Sequence, residues 1–183
     1  SKFIGHPNNK LPGIEMNSGS LGHGLPVSVG MALAGKMDDR DYRVYTVMGD
    51  GELAEGSVWE GAMAASHYKL DNLCAVVDRN RLQISGRTED VMAHDDLHER
   101  FGAFGWNVID VADGNDIDQL KVAFDTAKTV KGRPSVLIAN TVKGKGSSVM
   151  EDKANWHHKV PSGEELAQIR KDLADRKEAA LCG

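Results

Sequence analysis

The chain has 183 residues, 40% hydrophobic and 27% charged, a soluble balance with the length for one sizeable α/β domain around its own core. The formal net charge is −5 and no basic stripe is present, which argues against duplex nucleic acid, whose phosphates need clustered Lys and Arg. No apolar run approaches the roughly 20 residues of a membrane span and nothing at Ser1 reads as a signal peptide, while two cysteines without metal spacing, Cys74 and Cys182, favour a reducing, cytoplasmic compartment over a disulfide framework.

Residues 1–18 are rich in Gly, Pro and Asn and read as loop. The small and apolar run "LGHGLPVSVGMALAGK" predicts a helix that starts near Pro26, where a missing N–H costs least. "MDDRD" is a solvated turn without the spacing of a Ca²⁺ loop. "RVYTVM" is β-branched, aromatic and short, hence a strand. "EGSVWEGAMAASHYKL" is helical, with Val58, Ala62, Ala65 and Tyr68 along one stripe. "LCAVVD" is a second buried strand, followed by the short segment "RLQIS". "DDLHERFGAFG" is a helix, "WNVIDVA" a strand, and "DIDQLKVAFDTAKTV" a helix capped by Asn115 or Asp116. "PSVLIANT" is a fourth strand. A Gly- and Lys-rich loop then leads to "WHH", and Ser162 caps a charged C-terminal helix with Glu165 at the capping-box position. The alternation predicts an α/β fold, a parallel sheet with helices on both faces, as a single unit over residues 1–183. Such sheets bind ligands at the carboxyl ends of their strands.

Two strand ends carry polar residues suited to chemistry. Asp50 closes the first clear strand between Gly49 and Gly51, and Asn80 lies just past the next. A carboxylate, an amide oxygen, a nearby backbone carbonyl and diphosphate oxygens make an oxygen-only set of the kind Mg²⁺ takes, and the following helix start offers free N–H groups to phosphate. Gly-Asp-Gly by itself is also an ordinary tight turn. The pair His157–His158 could suggest zinc but lacks further ligands at suitable spacing. "GKGSS" lacks the upstream glycine of a phosphate loop, and "GSLGHG" is no dinucleotide fingerprint. His6 alone reads as a surface loop residue, and Glu55 as complementing a helix dipole.

The segment "GDGELAEGSVWEGAMAASHYKLDNLCAVVDRNRLQISG" resembles the thiamine-diphosphate motif of transketolases, which opens on Gly-Asp-Gly and closes on Asn about thirty residues later. "GHPNNKLPGIEMNSGSLGHGL" and "NTVKGKGSSVMEDKANWHHKVP" resemble two further segments of that family, in the same order, so the likeness covers nearly the whole chain. Its agreement with the N-terminal subunits of split, bacterial-type transketolases is close. The resemblance implies a diphosphate-binding domain using thiamine diphosphate with Mg²⁺, or Ca²⁺ or Mn²⁺ in its place. Asp50 and Asn80 match the metal-binding side chains and Leu82 the backbone ligand. Gly51 matches a diphosphate contact, Gly49 and Glu52 the rest of that turn, and Gly19 and Leu21 the aminopyrimidine end. His6 matches a histidine facing the donor sugar, His157 one that moves protons near the diphosphate, and Glu55 a glutamate at the dimer interface.

The implied activity passes a two-carbon ketol unit from a ketose (phosphate) to an aldose (phosphate), within the pentose phosphate pathway. The implied partner is a C-terminal subunit with the pyrimidine-binding domain and the catalytic glutamate, in a dimer of heterodimers. Another thiamine-diphosphate enzyme, such as a 1-deoxyxylulose-5-phosphate synthase fragment, or a non-catalytic cofactor-binding module, is the alternative. His23 and His158 stand where the family has Gln and Gly. The family's roughly hundred residues ahead of Gly-His-Pro, with a Ser-Lys-Gly-His motif, are not in this sequence, which is expected to be N-terminally shortened.

Overall fold

A computed structural model describes residues 6, 8–14, 16, 17, 19 and 21–182, with the side chain of Cys182 outside that set; Gly5 and Pro7, which flank His6 in the Gly-His-Pro segment, are also outside it. In chain order come α1 (Gly24–Met37), β1 (Val44–Gly49), a 3₁₀ turn (Gly51–Ala54), α2 (Gly56–His67) and β2 (Leu73–Arg79). A small hairpin of β3 (Leu82–Gln83) and β4 (Gly86–Arg87) follows, then α3 (Thr88–Val91), α4 (Leu97–Ala103), β5 (Asn107–Val111), α5 (Ile117–Thr129), β6 (Ser135–Asn140) and α6 (Gly163–Cys182). The main sheet has the order β1-β2-β6-β5 and is parallel throughout.

Local chemistry accounts for the element ends. Pro26 is the third residue of α1, inside the first turn whose N–H groups have no helical acceptor, so its missing donor is harmless there. Of the two candidate caps before α5, Asp116 is the one used: its Oδ1 accepts from the N–H groups of Asp118 and Gln119 at 2.8 and 3.3 Å. Asn115 instead accepts from Val142 N–H at 2.9 Å, tying the end of β6 to the loop before α5. Asp96 caps α4 in the same way, so the predicted helix over 95–105 is shorter than its sequence pattern. Ahead of α6, Glu165 stands at the capping-box position and its carboxylate pairs with Lys159. The stripe on α2 ends one residue early: Tyr68 caps the helix and is half exposed, and Leu70 is the buried residue beyond it.

The two faces of the sheet bury different cores. Val44, Met48, Ala75, Val77, Val136 and Ile138 face α1, α2 and α4 in the larger one. Cys74, Val76, Leu137 and Ala139 face α5 in the smaller. Burial pushes the Cys74 thiol up to about 11, so it behaves as an inert hydrophobe at neutral pH. Fully burying a side chain such as Phe101 is worth roughly 1.5–3 kcal/mol. Its ring packs on Trp59 and Trp106 with centroids 5.1 and 5.6 Å away. Trp106 donates through its indole to Ala62 O, and Trp59 to Leu53 O at 2.8 Å. The Trp59 bond anchors the 3₁₀ turn after Asp50 to the core, which is how packing reaches the site.

No helix among the described residues is long and apolar enough to cross a membrane.

Candidate active site at the strand ends

Parallel strands β1 and β2 end side by side, with Gly49 in register with Asp78. The first loop residue past β1, Asp50, donates its N–H to Asp78 O at 3.2 Å. Its carboxylate is 2% exposed. Oδ1 accepts from Gly51 N–H at 2.9 Å, and Oδ2 from Arg81 N–H at 2.6 Å and the Thr88 hydroxyl at 3.5 Å, so both oxygens are oriented and Oδ1 keeps a lone pair. Burial, aided by nearby Asp78, raises the Asp50 carboxyl above its ordinary range against those two N–H groups and His94. A buried carboxylate held ionisable in this way gains most from a cation.

The loop after β2 is shaped for the same purpose. Arg81 adopts φ +64°, an uncommon conformation for a residue with a side chain, costing on the order of 1–3 kcal/mol. That conformation turns its N–H toward Asp50 while its carbonyl accepts from Thr88 N–H at 3.1 Å. Asn80 closes the loop locally, its Oδ1 accepting from Leu82 N–H at 3.0 Å, an Asx turn.

These strand ends open on a cleft of about 350 Å³ that takes in Leu21, Gly49, Asp50, Gly51, Glu52, Asn80, Leu82 and His157. Eight of the eleven residues singled out from sequence thus share one hollow, although they come from four separate segments. A roomier hollow of about 510 Å³ between Tyr45 and Phe124 has no such convergence of polar groups. The donor set fits a hard divalent cation with a diphosphate: it is all oxygen, one charge is already buried, and Gln83 Oε1 at the same wall is buried without a partner among the described residues. Among the described residues no three His, Cys, Asp or Glu side chains converge as a metal cage, so an ion here would complete its shell from phosphate and water.

The other three residues lie outside the cleft lining. His6 is exposed, its ring against the bare α-carbon of Gly19: a Cβ there would lie 2.6 Å from His6 Cδ2. Glu55 is exposed at the start of α2 and makes no capping bond. It packs on Gly22, where φ is +80° and an added Cβ would lie 2.6 Å from Glu55 Cβ, so only glycine fits. Glu52 is engaged within the fold, its Oε1 accepting from Gly22 N–H at 2.8 Å and its Oε2 from Gly49 N–H at 3.3 Å. Its carboxylate pins the turn that carries Leu21, a role better suited to an anion than contact with phosphate. Gly51 N–H is likewise engaged by Asp50, and its bare α-carbon packs against the Gln83 side chain. His23 turns back on its own loop, its Nδ1 3.0 Å from Leu21 O, and His158 packs edge-on against His157.

Sequence reasoning missed four residues of the cleft: Gln83, Ile84, Ser85 and Lys143. Lys143 was legible in principle, since "VKGKG" follows the carboxyl end of a parallel strand, where ligands bind. Its ammonium also matters for His157, whose pKa is lowered by burial first, then by Lys143 and His158. Both effects favour the neutral imidazole, the form that carries a free acceptor nitrogen, and make it a weaker base than an ordinary histidine. His94, 2% exposed behind Asp50, was also missed; burial lowers its pKa.

The chain matches the family described as transketolase, thiamine diphosphate binding domain, over residues 1–179. It is 49% identical to an apulose-4-phosphate transketolase subunit of Phocaeicola vulgatus over 178 residues, 97% of this chain and 63% of that protein. It is 44% identical to a 6-deoxy-6-sulfo-D-fructose transketolase subunit of a Clostridium species over 146 residues, 80% of this chain and 53% of that protein. The transketolase structure from Campylobacter jejuni superposes with a TM-score of 0.86 at 30% identity, covering 95% of this chain and 28% of that one. The chain therefore spans under two thirds of the length of these relatives, and it belongs to the transketolase family, in its thiamine diphosphate binding domain.

Proposed function

We propose that the chain is the diphosphate-binding, N-terminal subunit of a split transketolase that moves a two-carbon ketol unit from a ketose phosphate to an aldose phosphate. The observation that carries this reading is the meeting of Asp50, Asn80 and Leu82 with Lys143 and His157 around one cleft at the strand ends. Asp50 and the Asn80 side chain, with the Leu82 carbonyl, would hold a Mg²⁺ ion, and Lys143 would neutralise part of the diphosphate charge. When bound, thiamine diphosphate supplies the carbanion stabilisation that the protein's side chains lack. This chain's own contribution is positioning and proton handling. Leu21 and Gly19 wall the aminopyrimidine end, His157 takes and returns protons near the diphosphate, and His6 faces the sugar hydroxyls.

A C-terminal partner would bring the pyrimidine-binding domain and the glutamate that activates the cofactor, in a dimer of heterodimers with Glu55 at the joint. The exposure of His6, His23 and Glu55 in this chain supports a surface completed by another. The two subunit relatives are named for sugars that carry a phosphate or a sulfo group, so an anion-tailed sugar is the substrate class proposed here, in cytoplasmic carbohydrate metabolism. The test is to mix the purified chain with its companion subunit, Mg²⁺ and thiamine diphosphate and to follow ketol transfer from a ketose phosphate. Turnover is expected from the pair and from neither chain by itself. Absence of turnover in the pair, with cofactor bound, would overturn the enzymatic reading.

A further inference from the structure

We propose that Gln83 is an additional positioning residue of this site, its side-chain oxygen accepting a hydrogen bond from a water on the metal that Asp50, Asn80 and Leu82 hold. The inference rests on the functional reading above and adds a residue to it.

Three observations lead to Gln83. Its Oε1 is one of five buried side-chain polar atoms left without a partner among the described residues. An orphaned acceptor costs about 1–3 kcal/mol and calls for an explanation, an absent ion or water being one of the few available. Second, Gln83 lines the same cleft as Asp50, Gly51 and Asn80, directly after the proposed backbone ligand Leu82. Its strand β3 pairs with β4 only through Gln83–Gly86 and Leu82–Arg87, so the backbone that aims the side chain is fixed at this point.

Third, the glutamine stem lies across Gly51. A Cβ added there would sit 3.0 Å from Gln83 Cβ and 3.2 Å from its Oε1. The bare α-carbon of Gly51 makes room for the carboxamide oxygen, which packs on the residue that follows Asp50 in the wall of the same cleft. Asp50 has both oxygens tied to backbone donors, and among the described residues the oxygen of Gln83 has no protein donor to turn to. Mg²⁺ keeps several of its waters when bound by one or two carboxylates and phosphate. Those waters are polarised donors, and a neutral amide oxygen accepts from them without adding a second negative charge beside the diphosphate.

The test uses the chain paired with its companion, at saturating thiamine diphosphate, and reads the Mg²⁺ concentration at half-maximal cofactor binding by tryptophan fluorescence or calorimetry. Outer-shell partners of metal ligands are typically worth 10–100-fold. Gln83→Leu, similar in size without an acceptor, should raise that midpoint about tenfold while the melting temperature stays level or rises. Gln83→Asn keeps a neutral amide oxygen on a shorter stem and should bring the midpoint back between those of Gln83→Leu and wild type. A structural role would do the opposite, lowering the melting temperature without moving the midpoint. If wild type binds, Asp50→Ala abolishes binding and Gln83→Leu matches wild type, the role assigned to Gln83 falls and the site stands. If wild type shows no Mg²⁺-dependent binding, the functional reading falls and takes this inference with it.

Discussion

The two ends of the parallel sheet each carry an aspartate between loops, and the two behave in opposite ways. At the amino ends of the strands Asp71 precedes β2. Burial disfavours its charge, but Gly132 N–H at 2.8 Å and Lys36 at 3.0 Å outweigh that and hold its pKa below the ordinary value. At the carboxyl ends Asp50 is buried among neutral donors, two backbone N–H groups and the Thr88 hydroxyl, with a second carboxylate nearby, and burial raises its pKa. Asp71 is satisfied by the fold, which its loops help to close. Asp50 is arranged at some cost to the fold, a cost that a bound cation would offset under the function proposed above. The same residue type is satisfied at one end of the sheet and left without a counter-charge at the other, and the difference lies in what each carboxylate is given as a partner.

The comparison can be broken at either end. The largest effect is expected from Asp50→Asn, which keeps the shape but removes the charge and one of two acceptors. Mg²⁺-dependent binding of thiamine diphosphate should weaken by more than about 100-fold, since even partners that only orient metal ligands are worth 10–100-fold. Calorimetry on the assembled enzyme reads this directly, and retained binding would show that Asp50 is no ligand.

Asp71→Asn should leave cofactor binding unchanged and destabilise the fold by about 1–2 kcal/mol at neutral pH. The sign of its pH dependence follows from the depressed pKa. The contribution is present above the unfolded value of about 3.9 and disappears as pH falls through the lower folded value, so wild type and variant should converge in strong acid. Urea unfolding across that range checks it; a difference that persists in acid would refute the ion-pair account.

Glu52→Ala sits between the two behaviours. Freed of its anchor, the Gly22 N–H loses a charged acceptor, and a stability loss of about 1 kcal/mol is expected with a several-fold weaker cofactor. Faster amide exchange at Gly22 than at Gly51 would locate the change. Smallest of all, His6→Ala and Glu55→Gln should alter the isolated chain by no more than about 0.5 kcal/mol, because both side chains are exposed and Glu55 makes no capping bond. Their effect should emerge only with the companion chain present, in turnover for His6 and in assembly for Glu55. A large loss of stability in the chain alone would show that they belong to its own core instead.

Much of this was open to a reader of the residues. The parallel α/β order, all four main strands and the longer helices follow from short β-branched runs alternating with helical periods, while the single turn α3 carries no such pattern. The pairing of Asp50 with Asn80 follows from each standing one or two residues past such a run. Less open were Tyr68, whose place in the helical stripe conceals a cap, and the choice between Asn115 and Asp116, which depends on what β6 needs nearby. Gln83 and His94 carry no pattern at all, since burial without a partner is invisible until neighbours are placed. Glu52 shows a related limit: position within the motif suggested a ligand contact, and only the approach of Gly22 from thirty residues away gave its oxygens another use.

Sequence alone determined which residues could bear the chemistry, because side-chain type and strand-end spacing limit what can face a ligand. Tertiary structure decided which of them share one cleft. Parallel pairing set Gly49 beside Asp78, the left-handed turn at Arg81 aimed an N–H at Asp50, and the loop after β6 brought Lys143 and His157 across to them. The physical reason is that burial, a hydrogen-bond partner and a neighbouring charge are properties of positions in space, and a chain acquires them only when distant segments close on one another.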